Sequence, residues 1–109
     1  MNEFGILDRS YNLLLKTMQQ TAAIEEAIIF GSRAKGNYSN GSDIDLAIKT
    51  TTTNIDVAFD LSVTLNEILP IPYRVDVIDY VTLKHEGLKK HIDTVGKTFY
   101  KKSAAPHAI

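Results

Sequence analysis

The sequence predicts an α+β domain, α/β-like in its alternation, in which a small β-sheet carries helices packed on one face. Two observations predict it. Apolar residues recur at helical spacing in three stretches, and between these lie short β-branched runs bounded by Gly, Pro, Asn and Ser. The chain has 109 residues, room for one domain spanning 1–109 that buries about two-thirds of its unfolded surface. Residues from about 101 onward, KKSAAPHAI, read as a frayed tail.

Phe4, Leu7, Tyr11, Leu14, Leu15, Met18 and Ala22 fall on one stripe of a helix over about residues 5–22. Ala27 to Phe30 is a short buried strand that ends in a tight turn at Gly31. Ser32 to Lys35 start a short helix that Gly36 stops. The loop Asn37–Gly41 leads into a strand over Ser42–Lys49, on which Ile44, Leu46 and Ile48 face a core while Asp43, Asp45, Ala47 and Lys49 face the other way. Thr53 and Asp56 form a capping pattern for a helix carrying Ala58, Leu61, Leu65, Ile68 and Leu69, which Pro70 and Pro72 end. Arg74–Tyr80 reads as a third strand. Thr82 caps a last helix with Leu83, Leu88, Ile92 and Val95, stopped at Gly96, and Thr98–Lys101 form a short extended end. Two adjacent carboxylates are hard to sustain away from solvent, so the Asp face is expected to stay open.

Composition excludes several functions. An apolar fraction of 44% and a charged fraction of 23% are those of a globular protein. A net charge of −1 argues against direct binding of nucleic acid by phosphate neutralisation. The absence of cysteine removes disulfides, thiolate catalysis and Cys-ligated zinc. The longest apolar stretch, Ala27–Phe30, is far below the ~20 residues of a membrane span, and the N-terminus has no secretory pattern. The expectation is a cytoplasmic protein without a membrane partner.

Asp43 and Asp45 point from one face of a strand about 6–7 Å apart. Two unit charges ~5.5 Å apart repel by about 3 kcal/mol at an effective dielectric of 20, so the pair calls for a cation or a proton. Mg²⁺ suits it, being held by one or two carboxylates together with substrate phosphates. A third acid would let two ions share the site. Asp76 and Asp79 are three apart and face opposite sides, so only one can join; mid-strand position favours Asp76, but periodicity leaves the choice open. Gly31 lets a phosphate approach the backbone, the Ser32 hydroxyl can donate to it, and Arg33 and Lys35 add positive charge. The alternative for Arg33 is an ion pair with an acid at the sheet end. Tyr38 could cover a base. His85 and His91 lie six apart, on roughly opposite faces of the last helix, and read as solvated side chains. Tyr73, Tyr80 and Tyr100 read as sheet-edge packing. A structural Ca²⁺ module is disfavoured because no ligand-rich twelve-residue loop is present.

GSRAKG, SDIDLAI and RVDVIDY together resemble the motifs of the minimal nucleotidyltransferases of the DNA polymerase β superfamily, over about Phe30 to Tyr80. The resemblance implies a mixed sheet of the polymerase β palm type and transfer of a nucleoside monophosphate from ATP or another nucleoside triphosphate, with one or two Mg²⁺ ions. By that pattern Asp43, Asp45 and Asp76 are the catalytic and metal-binding carboxylates, and Gly31, Ser32, Arg33, Lys35 and Ser42 line the nucleotide. Lys35 stands where many members have Arg, keeping charge but losing bidentate geometry. Larger members carry an acceptor domain for which this chain has no residues. The resemblance therefore implies a separately encoded helical HEPN-type partner, with the chain as the antitoxin of a HEPN/MNT pair that AMPylates it, as a homodimer or a hetero-oligomer. The competing reading is a non-catalytic nucleotide-binding antitoxin that neutralises a helical partner by contact.

Overall fold

In a computed structural model describing residues 2–51 and 56–102, four strands form one sheet: β1 (Ile24–Phe30), β2 (Ile44–Thr50), β3 (Val75–Asp79) and β4 (Lys97–Lys101). Their order is β3-β2-β1-β4. β1 runs antiparallel to both β2 and β4, whereas β2 and β3 are parallel. The mixed sheet implied by the resemblance is therefore what forms. The extended C-terminal end is a true fourth strand, and β1 begins three residues before the apolar run that marks it in the sequence.

Helix α1 (Asp8–Gln20) and helix α3 (Asp56–Val63) supply the helix layer on one face of the sheet. Ile44, Leu46 and Ile48 point into this layer from β2 and meet Leu14, Met18, Leu61 and Leu65, all of them buried. The alternation in the sequence thus marks the core face correctly. α3 passes into a π-helical turn, Thr64–Ile68, and the chain becomes extended at Leu69, as the following Pro70 requires. Within that turn Asn66 grips the edge strand. Its Nδ2 donates to the Val75 carbonyl at 2.8 Å, and its Oδ1 accepts from the Val75 N–H at 2.8 Å. This sets the start of β3 one residue before Asp76. Thr53 of the expected cap, and residues 103–109 of the expected tail, lie outside the described residues.

The opposite face of the sheet is only partly bare, which corrects the expectation that it stays open. Helix α4 (Glu86–Val95) lies against it, with Ile92 packed on Ile28, Phe30 and Ala47. The cap of α4 is His85 rather than Thr82: the His85 Nδ1 accepts from the Leu88 N–H at 2.9 Å.

Short helix α2 (Gly31–Lys35) carries the most demanding buried group. Arg33 is 1% exposed. Its Nε donates to the Ser42 carbonyl at 3.1 Å. Nη1 donates to Phe4 and Gly5 carbonyls at 3.0 and 3.1 Å, and Nη2 to Ser42 at 2.9 Å and Asn40 at 3.3 Å. Tyr38 and Tyr73 rings lie 5.1 and 4.8 Å from the guanidinium carbon. Gly5 has φ +65, and a Cβ there would strike the Tyr38 ring, so glycine is required where the N-terminal segment passes this cluster. A lysine at position 33 has three donors on a flexible stem and cannot serve the same carbonyls as the planar fork. Arg33→Lys is therefore expected to cost about 2–4 kcal/mol, lowering Tm by roughly 10–25 °C in thermal unfolding followed by circular dichroism. A loss within a degree or two would contradict this account of the cluster.

Candidate active site

Strand register sorts the second face into three rows. Asp45 pairs with Phe30 on β1 and with Asp76 on β3. Two residues on, Ala47 pairs with Ile28 and Ile78. Two further, Lys49 pairs with Glu26, and its Nζ lies 3.7 Å from a Glu26 oxygen and 4.8 Å from the centre of the Tyr80 ring. The middle row is apolar and sits under Ile92. The third row neutralises its own charges, with Lys89 of α4 also over the Tyr80 ring and the Tyr80 hydroxyl donating to Asp93 at 2.6 Å. Only the first row, Phe30–Asp45–Asp76, leaves carboxylates outside the cover of α4.

In-register neighbours on parallel strands share a face about 4.8 Å apart, so Asp76, not Asp79, stands beside Asp45. Asp79 pairs with Ile48 on the core side, where its Oδ1 accepts from the Val81 N–H at 2.9 Å. Asp43, exposed and just ahead of β2, adds a third charge. The Asp45 carboxyl is consequently pushed above the usual carboxylate range, first by burial, then by the charges of Asp76 and Asp43, with His91 acting in the opposite sense. Like charges side by side in one row, ~5 Å apart, repel by about 3 kcal/mol at an effective dielectric of 20.

Gly31 has φ +71, and a Cβ on it would collide with Asp45 Oδ2. The turn into α2 therefore lies directly against the Asp45 carboxylate, and glycine is needed for both the conformation and the approach. Ser32 follows it, half-buried. Asp76 is turned toward Arg74, whose Nε lies 3.2 Å from Asp76 Oδ1, with the two side chains 71% and 44% exposed. A pair this exposed is worth no more than about 1 kcal/mol and yields readily to a competing cation. Among the described residues no three His, Cys, Asp or Glu groups are already arranged to hold a metal ion. The donor chemistry nevertheless fits a hard cation: Asp45 and Asp76 share one face, Asp43 lies just ahead of it, and the charges of Asp76 and Asp43 raise the proton affinity of Asp45, while Mg²⁺ takes one or two carboxylates with the rest of its shell from substrate and water.

Other expected nucleotide contacts fall elsewhere. Arg33 is corrected from a phosphate ligand to a buried anchor, because its donors are taken by backbone carbonyls and its faces by two tyrosines. Among the described residues it pairs with no acid either. The Ser42 hydroxyl accepts from the Ser39 N–H at 2.9 Å and so closes the loop before Asp43. Lys35 is exposed at the end of α2 away from Gly31. Tyr38 lies on Arg33 and Gly5 rather than over a base. His91, read from sequence as a solvated side chain, packs edge-on against Phe30 with ring centres 6.0 Å apart, beside Asp45.

A four-stranded mixed sheet bearing in-register carboxylates beside a glycine turn, on a row at the edge of its last helix, defines a nucleotidyltransferase-type domain. The polymerase β nucleotidyltransferase family model matches residues 12–105, and the chain belongs to that family. No curated protein matches the chain by sequence. Solved structures with a similar chain include a toxin–antitoxin complex with AMP-PNP, at 24% identity and TM-score 0.64 over 88% of this chain and 75% of that chain. Another is the tri-AMPylated HEPN toxin of Shewanella oneidensis in complex with its MNT antitoxin, at 21% identity and TM-score 0.65 over 86% and 71%. The MntA–HepT toxin–antitoxin complex matches at 20% identity and TM-score 0.65 over 88% and 74%. At these identities the likeness shows a shared fold. None of the described helices is long and apolar enough to cross a membrane.

A carboxyl held above its ordinary pKa binds its proton more tightly in the folded chain than in the unfolded one. The stability this contributes is present below the ordinary carboxylate pKa and is lost as pH rises through the raised value. Asp45→Asn without divalent cations is therefore expected to raise Tm at pH 7, with the advantage over the native chain shrinking as pH falls through the raised value and gone below the ordinary carboxylate pKa of about 4. Scanning calorimetry across pH checks this. An Asn variant less stable than the native chain at pH 7 would contradict the placement of three charges around Asp45.

Proposed function

We propose that this chain transfers a nucleoside monophosphate, AMP first among the candidates, from a nucleoside triphosphate to a hydroxyl acceptor presented by a separately encoded HEPN-type protein. The observation that carries the reading is the pairing of Asp45 with Asp76 in register, next to Asp43 and the Gly31 turn. Membership of the nucleotidyltransferase family supports the reaction class. AMPylation and the HEPN partner rest on the fold shared with the toxin–antitoxin complexes. The site lies on a partly exposed row of the sheet face that α4 shares, which leaves an approach for an acceptor carried by another chain. In such a pair the chain is the antitoxin, acting in the cytoplasm.

Asp43 and Asp45, with Asp76, would hold one or two Mg²⁺ ions, which when bound supply charge neutralisation of the phosphate chain and of the departing pyrophosphate. The residues of the chain do the rest. Gly31 admits a phosphate to the backbone beside Asp45, and the Ser32 hydroxyl donates to it. Asp76 leaves Arg74 and accepts the proton of the acceptor hydroxyl. The acceptor oxygen bonds to the α-phosphorus, the α–β anhydride bond breaks, and pyrophosphate leaves with that bond's electron pair. Asp45, between Asp43 and Asp76, keeps the carboxylates aligned with the reacting phosphate.

The pairing of Asp76 with Arg74 also favours a second reading, in which the acids no longer turn over and the chain neutralises its partner by contact alone. The two separate in one assay with the co-expressed partner and labelled ATP. Asp43→Asn, Asp45→Asn and Asp76→Asn are each expected to lower label transfer at least ~100-fold, with circular dichroism unchanged. Full transfer by the Asp45 variant would refute its role. Neutralisation that needs no ATP and survives all three substitutions would favour the second reading.

A further inference from the structure

The first row of the acid face has one basic neighbour that the reaction has not used. On α4, Leu88 and Ile92 turn into the apolar middle row. His91 precedes Ile92 by one residue and so projects about 100° around the helix, where it meets Phe30 edge-on at 6.0 Å and 80° between ring planes. Phe30 pairs with Asp45, which places the imidazole beside the Asp45 carboxylate. The charge of His91 is felt there, opposing the effect of the other two acids.

Four other basic groups around the sheet are committed elsewhere, and Lys35 is exposed at the end of α2 away from Gly31. Lys49 and Lys89 lie over Tyr80 in the third row, Arg74 holds Asp76, and Arg33 is buried among carbonyls. His91 is half-buried, and among the described residues its ring nitrogens make no hydrogen bond. An imidazole in either protonation state has at least one N–H to donate. A triphosphate brought to three carboxylates adds further negative charge and presents many acceptor oxygens. A donor seated on Phe30, the residue before Gly31, stands next to where that chain of phosphates must lie.

We propose that His91 is a substrate-binding residue of this site, donating a hydrogen bond to a phosphate oxygen of the bound nucleoside triphosphate. The inference rests on the nucleotidyl-transfer reading and adds a contact that α4 contributes. It differs from a positioning role, in which His91 would act only by steering Asp45.

Calorimetric binding of Mg-ATP and, separately, paramagnetic titration of Mn²⁺ alone distinguish these roles on the purified full chain. His91→Phe keeps the ring packing on Phe30 and removes the donor; His91→Gln restores a donor. The Phe variant is expected to bind Mg-ATP about tenfold more weakly, the Gln variant to recover most of that loss, and both to bind Mn²⁺ alone as the native chain does or slightly tighter. Unchanged Mg-ATP affinity in the Phe variant with an unchanged melting profile would overturn the proposal. So would a parallel loss of Mn²⁺ affinity, which would assign His91 to Asp45 instead. A native chain that binds no triphosphate would overturn the nucleotidyl-transfer reading itself, an outcome distinct from either.

Discussion

The rest of the structure depends on a buried positive charge held by main-chain carbonyls rather than, among the described residues, by an acid. Arg33 solvates its guanidinium with main-chain carbonyls from two other segments, Phe4–Gly5 and Asn40–Ser42, and with the faces of Tyr38 and Tyr73. Removing a charge from water costs several kcal/mol, and only saturation of its donors offsets that cost. Tyr73 then closes the arrangement by accepting the Leu7 N–H at 3.1 Å through its hydroxyl. One side chain therefore fixes α2, the N-terminal segment and the loop that delivers Asp43, relative to one another. The glycine turn and the first carboxylate are placed from the two ends of that clamp.

Given the clamp, the sheet does the remaining positioning by register. The parallel pairing of β2 with β3 brings Asp76 level with Asp45, and Asn66 holds the edge strand at Val75 so that this register has a fixed origin. α4 covers the apolar middle row and Phe30 of the first row, leaving Asp45 and Asp76 partly exposed at its edge. The division is physical: an Ile28–Ala47–Ile78 row gains by burial, whereas carboxylates gain by access to water and cations. The same strand thus supplies a core on one side and a repelling acid cluster on the other, with the strain of repulsion available to any cation that relieves it.

How much of this the sequence carries differs by element. Alternation on β2 identifies Ile44, Leu46 and Ile48 as core and puts Asp45 opposite them, because period two needs no tertiary knowledge. The choice between Asp76 and Asp79 does need it, since only the register of β2 against β3 decides which acid faces Asp45. Arg33 misleads because a guanidinium beside a glycine turn has the same composition whether it meets phosphate or carbonyl; burial tells them apart, and burial is not local. His91 was hidden by a wheel drawn from His85, which is the cap of α4 and therefore outside the helical period. β4 pairs along one edge only, and with Lys97, Thr98 and Lys101 exposed the sequence marks no more than a short extended end over Thr98–Lys101. The first residues of β1 were obscured by Glu25 and Glu26, although Glu26 finds Lys49 across the sheet.

The central claim is that Asp43, Asp45 and Asp76 form one cation site at which a triphosphate is held beside Gly31. Anomalous diffraction from crystals of the chain with Mn²⁺ and a non-hydrolysable ATP analogue tests it most directly. The account predicts a manganese peak bonded to Asp45 and to Asp43 or Asp76 at about 2.0–2.3 Å, a phosphate oxygen in the same shell, and Arg74 released from Asp76. A peak bonded to other residues, or a nucleotide ordered away from the Phe30–Asp45–Asp76 row, would contradict it.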